Sequence, residues 1–158
     1  MGANATVGPI ELLSVHIEAP TDVRYQEGDD ARLWFTVYNE GRRADVLRSV
    51  QSPYANAGEI RWDADCDGNA TAVPALTFQP VEPNPAASRL GVPPFDAYHV
   101  QLVGLNRAVP AGTTIPVTFT FEDAGSVTVD AAVQPSTAVR PEPSNRCHEG
   151  PSVAPLAS

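Results

Sequence analysis

The run TTIPVTFTFEDAGSVTVDAAVQ, residues 113–134, constrains the fold more than any other part of the chain. Ile115, Val117, Phe119 and Phe121 fall at every second position, with threonines on much of the other face. That period of two is the mark of a half-buried antiparallel strand. A second alternating run starts at Gly125, and Asp123-Ala124-Gly125 supplies a tight turn between the two. The pattern predicts a hairpin.

Strand-like segments recur along the rest of the chain, at 10–19, 31–40, 44–52, 58–65 and 96–105. Weaker ones at 72–81 and 88–92 are broken by prolines, which suit sheet edges and bulges. No stretch has sustained helical spacing with caps at both ends, and 11 Gly and 16 Pro in 158 residues fit a strand-and-turn chain. The reading is an all-β Greek-key sandwich or barrel of one domain. Residues 1–9 read as an N-terminal extension, 10–134 as the folded domain, and 135–158 as an extended Pro/Ser-rich tail, pinned near Cys147 and loose beyond it.

The net charge of −9, with arginine as the sole strongly basic residue type, repels phosphate backbones and argues against nucleic-acid binding. No apolar run approaches the roughly 20 residues that span a bilayer, and the start, MGANATVG, carries no signal peptide. Cys66 and Cys147 lie far apart in turn-rich segments, outside any zinc-type spacing. A disulfide is the expectation, worth about 4–5 kcal/mol on the chain-entropy argument, and it implies an extracytoplasmic home, whether secreted, periplasmic or lipid-anchored.

Asp63, Asp65 and Asp67 precede Gly68 in DADCDGN, as in the opening of a calcium loop. The twelfth position, where a bidentate glutamate would close that loop, is Pro74, so an acidic turn is the preferred reading and calcium the lesser one. Asn4 and Asn69 each begin an Asn-Ala-Thr triplet, to which no role is assigned. His16, His99 and His148 are the only histidines, and none sits in a nucleophile motif, so the chain does not read as an enzyme. His99 and Gln101 share one face of the segment DAYHVQLVGL. A histidine and a second donor at i and i+2 can hold a metal, or can be two polar residues on the wet face of a sheet.

The stretch YHVQLVGLNRAVPAGTTIPVTFTFEDAGSVTVDAAV, residues 98–133, resembles the end of the periplasmic copper chaperones called PCu(A)C. That family shows a His-x-Met pair, an apolar Gly-Leu, a basic residue, a Gly-x-Thr-(Val/Ile)-Pro turn and a hairpin with Ala-Gly. Here these correspond to His99 and Gln101, Gly104-Leu105, Arg107, Gly112 to Pro116, and Phe121 to Gly125. More loosely, DARLWFTVYNEG and SVQSPYANAGEIRW are similar to the family's earlier strands. The resemblance implies a cupredoxin-like barrel and a Cu(I) site of two histidines and two methionines. It further implies delivery to a copper acceptor such as the Cu(A) domain of an oxidase.

Where the family has its ligands, this sequence departs from it. Its one methionine is Met1, the His-x-Met pair has become His99-Val100-Gln101, and the upstream histidine maps near Arg61. The upstream methionine falls within Val73 to Leu76. The leading expectation is therefore a copper-handling protein with an atypical or degenerate site: His99 first, Gln101 beside it, and His16 or His148 as helpers. The alternative is a metal-free interaction module on the same barrel, which would need an exposed apolar or aromatic patch, for which Trp62, Tyr54 and Phe95 are candidates.

Overall fold

A computed structural model describes residues 2–62, 70–80 and 98–135, together with the backbone of 153–155. Every regular element among them is a β-strand. In chain order these are β1 (Ala3–Val7), β2 (Ile10–Ile17), β3 (Arg24–Tyr25), β4 (Ala31–Asn39), β5 (Asp45–Gln51), β6 (Ala55–Trp62), β7 (Thr71–Ala72), β8 (Leu76–Phe78), β9 (Tyr98–Leu105), β10 (Val109–Pro110), β11 (Thr114–Phe121), β12 (Gly125–Val133) and β13 (Val153–Pro155).

One sheet takes eleven of these strands in the order β13-β8-β5-β11-β12-β2-β4-β9-β6-β7, with β1 also paired to β2, while β3 and β10 form a separate ribbon. The sheet curls until its two ends face one core. Phe78 on β8, near one end, packs edge-on against Tyr98 on β9, near the other, with ring centroids 5.5 Å apart. Phe35 bridges Tyr98 and Phe119 at 5.3 and 5.1 Å. These five-to-six-ångström contacts close an aromatic core in the geometry such rings prefer. The all-β barrel expected from the sequence is the observed architecture.

The hairpin forms as its alternation demands. Ile115, Val117, Phe119 and Phe121 are buried, and Thr118 and Thr120 on the other face pair with Thr128 and Ser126 across the ladder. Phe121 closes on Gly125, whose φ of 102° is a conformation that suits glycine.

Other elements differ from the sequence reading. Residues 3–7 of the supposed N-terminal extension form β1, with Ala3, Ala5 and Val7 packed against the core. Strand β6 begins at Ala55, three residues before the expected 58, and the segment 72–81 yields only the short β7 and β8. The tail is not loose throughout: Val153–Pro155 pairs antiparallel with Leu76–Phe78. The expected strand at 88–92 lies outside the described residues.

Within β2 the alternation changes phase. Ile10 and Leu12 face the core before Ser14, and Val15 and Ile17 face it after, because the ladder slips between Leu13 and His16 and Ser14 adopts a φ of 56°. This bulge turns His16 to the outer face. The Asn4 side chain steadies it by accepting a hydrogen bond from the Ser14 amide at 2.9 Å.

Candidate functional site

Strand register places a row of side chains across the outer face of β2, β4, β9 and β6. His16 lies opposite Trp34, and His99 opposite Arg61. Trp34 and His99 are neighbours because Leu33 pairs with Val100 one step away. Their rings meet at 4.8 Å between centroids, tilted by 44°. The adjacent residues Leu33, Phe35, Tyr98 and Val100 point into the core, so His99 and Trp34 point away from it. Yet His99 is only 6% exposed and Trp34 8%. An imidazole is thus held out of solvent on the non-core face, the reverse of a wet-side polar residue.

The neighbours fix this arrangement. The Trp34 indole Nε1 donates to Glu18 Oε1 at 3.0 Å, which sets the plane of the ring that packs on His99. Arg61, across the ladder from His99, donates through Nη2 and Nε to Glu59 Oε1 at 2.6 and 3.1 Å. Glu59 sits two residues before it on the same strand face, so the guanidinium charge is compensated within β6.

Gln101 shares the outer face with His99, and the nitrogen of its carboxamide is engaged by Asp30. Its Nε2 donates to Asp30 Oδ2 at 2.8 Å, and the other oxygen of Asp30 accepts from the Gly104 amide at 2.9 Å. His16 Nδ1 lies 2.7 Å from the Ser14 carbonyl oxygen. A carbonyl only accepts, so Nδ1 carries the proton, and in the neutral ring the basic nitrogen is Nε2. His16 and His99 stand two strands apart, roughly 10 Å between backbones, with the Trp34 indole between them. The structure sets the two histidines in one row on the outer face, with Trp34 as the neighbour of both. Among the described residues no three His, Cys, Asp or Glu side chains group closely enough to hold a metal ion. His148, Cys66, Cys147, Asp63, Asp65 and Asp67 lie outside the described residues.

The exposed apolar or aromatic patch that the interaction-module alternative would need does not appear among the described residues. Trp62 and Tyr54 pack against the core, and Tyr54 also carries the Arg107 guanidinium 4.0 Å above its ring. Phe95 lies outside the described residues. Val23 is the one large hydrophobic side chain exposed among them, and a single such residue marks no interface.

Residues 10–133 match the family described as "Putative lipoprotein LpqE-like". The chain belongs to the LpqE-like family. A search of curated proteins finds no match. Among solved structures, this LpqE-like chain is similar to a copper-bound PCuAC domain from PmoF2, 27% identical, covering 84% of this chain and 97% of that one, at a TM-score of 0.61. The apo PmoF2 PCuAC domain is 26% identical over 88% and 99% of the two chains, again at 0.61. A solution structure of CuI-DR1885 from Deinococcus radiodurans, 20% identical over 86% and 85%, has a TM-score of 0.50 and speaks to the fold alone. The resemblance drawn from residues 98–133 therefore has structural counterparts across most of the LpqE-like chain.

Sequence reasoning placed His99 on the correct face and missed Trp34. The signal was present: in RLWFTV, the outward parity of Trp34 between the inward Leu33 and Phe35 is anomalous for so large an apolar ring. A tryptophan on the polar face of a strand asks what it covers, and here it covers His99.

Proposed function

We propose that this LpqE-like chain handles copper in an extracytoplasmic compartment, in the manner of a copper chaperone, through an atypical site centred on His99. The observation that carries the reading is a buried imidazole on the non-core face of β9, packed on Trp34. It belongs to a chain 27% identical to a domain solved with copper bound. The family description as a lipoprotein supports the compartment. A copper-acceptor protein, such as an oxidase Cu(A) domain, is the corresponding partner, and a Cys66–Cys147 disulfide fits an oxidising environment.

The donor chemistry sets what such a site can be. With Met1 the only methionine, no thioether is available from the body of the fold, and the four-ligand soft site of two histidines and two methionines cannot form. Gln101 Nε2 donates to Asp30, which orients the side chain, and Oε1, the atom through which a carboxamide ligates, is the donor that Gln101 offers beside His99. The site then takes His99 as its one fixed ligand, with further donors from His16, His148 or the carboxylates of 63–67. A nitrogen- and oxygen-rich set of that kind favours Cu(II) relative to the thioether site.

The test is competition titration with Cu(I) against a chelator and with Cu(II), on the wild type, His99→Ala and Gln101→Ala. His99→Ala is expected to weaken copper binding by at least about tenfold, and Gln101→Ala by much less. Copper binding that is indifferent to His99→Ala, or absent from the wild type, contradicts the proposal.

A further inference from the structure

Away from the His99 row, three turns meet at one end of the barrel and enclose a cleft of about 320 Å³. They are the β1–β2 turn at Pro9, the β4–β5 turn from Asn39 to Ala44, and the β11–β12 turn at Asp123 and Ala124. The floor is rigid. Asn39, 1% exposed, donates through Nδ2 to the carbonyls of Arg43 and Phe78 at 2.8 and 3.0 Å and accepts from the Gly41 amide at 2.9 Å. Asp45 accepts three backbone N–H groups, so its carboxylate is already satisfied.

Over this floor stand Arg42 and Arg43, both exposed, and neither guanidinium has an ion pair or side-chain hydrogen bond among the described residues. The other walls include the apolar Pro9, Ala44 and Ala124. The volume is that of a small-molecule site, and a guanidinium fork matches a carboxylate in bidentate geometry. Asp123 at the rim and a chain charge of −9 oppose a multiply charged ligand. We propose that this cleft binds a small monocarboxylate with a short apolar group, its carboxylate held by Arg42 and Arg43 and its apolar end against Pro9, Ala44 and Ala124. Nothing in this proposal depends on copper or on His99.

The experiment is an amide NMR titration of the full chain with isovalerate, its methyl ester and inorganic phosphate, repeated on Arg42→Ala and Arg43→Ala. Both arginines are exposed, and only the Arg43 carbonyl is used in the fold, so the variants retain the barrel, which thermal unfolding verifies. Saturable shifts at Gly41, Ala44 and Ala124 with isovalerate alone, weakened about tenfold or more in each variant, support the site. No saturable shift, shifts indifferent to both substitutions, or equal binding of ester or phosphate overturns it.

Discussion

Gly58→Ala is expected to destabilise the protein by more than about 3 kcal/mol, enough to lower the melting temperature by roughly 10 °C or prevent folding. A Cβ at this position would sit 1.9 Å from the Val50 carbonyl oxygen and 3.0 Å from its carbonyl carbon. The obstruction is backbone, with no flexible side chain to swing aside. Val50 is fully buried and pairs with Phe119 in the β5–β11 ladder, while Gly58 pairs with Leu102 in the β6–β9 ladder. Strands β5 and β6 are consecutive in the chain but lie toward opposite ends of the sheet order, so their close approach is where the curled sheet meets itself. Relief of the clash must open one ladder or the other. Gly112→Ala makes a suitable control: its φ is 88° and its Cβ would meet nothing within 4 Å, so only backbone strain of about 1–2 kcal/mol is expected. Thermal unfolding of the two variants checks the difference, and equal melting temperatures would contradict the steric account.

Asp45→Ala should have the next largest effect, about 3 kcal/mol or more. The carboxylate is 3% exposed and accepts from the amides of Val46 and Asp123, both at 2.8 Å, and Ala124 at 2.9 Å. It ties the start of β5 to the turn of the β11–β12 hairpin, 78 residues on. Alanine leaves three donors without that acceptor, and an unsatisfied buried donor costs about 1–3 kcal/mol. Asp45→Asn should fall between wild type and alanine, because one of its two terminal atoms becomes a donor facing another donor. The measurement is thermal unfolding combined with hydrogen exchange at Asp123 and Ala124, whose amides should lose protection in Asp45→Ala. Unchanged exchange at those two amides would show that the carboxylate does not hold the turn.

How much of this was legible in the sequence depends on the distance over which each feature is decided. Strand β11 was readable because Ile115, Val117, Phe119 and Phe121 declare their own face, and the turn at Asp123 to Gly125 follows from local chemistry. Strand β1 was not, because ANATV carries small residues whose burial depends on β2 arriving beside them. Neither Asp45 nor Gly58 stands out in sequence: one acts on a turn 78 positions away, the other on a strand that its own ladder does not include.

The candidate site divides in the same way. Alternation along DAYHVQLVGL gave the face of His99 but not its burial, since a period of two reports direction and not what covers that direction. The pairing of His99 with Arg61, the Trp34 ring against it and the engagement of Gln101 by Asp30 are all matters of register between strands. The absence of any methionine beyond Met1, by contrast, is legible in the sequence alone.

The central claim is that His99 is the fixed ligand of a copper site, and NMR of the imidazole rings during stepwise addition of Cu(II), the ion that a nitrogen and oxygen donor set favours, tests it most directly. Cu(II) is paramagnetic and broadens the resonances of its ligands, and the three histidines can be assigned by His16→Gln, His99→Gln and His148→Gln. The account predicts that the His99 ring resonances broaden away as copper is added, completely by one equivalent. His99 ring resonances that stay sharp while copper is taken up elsewhere, or not at all, would contradict it.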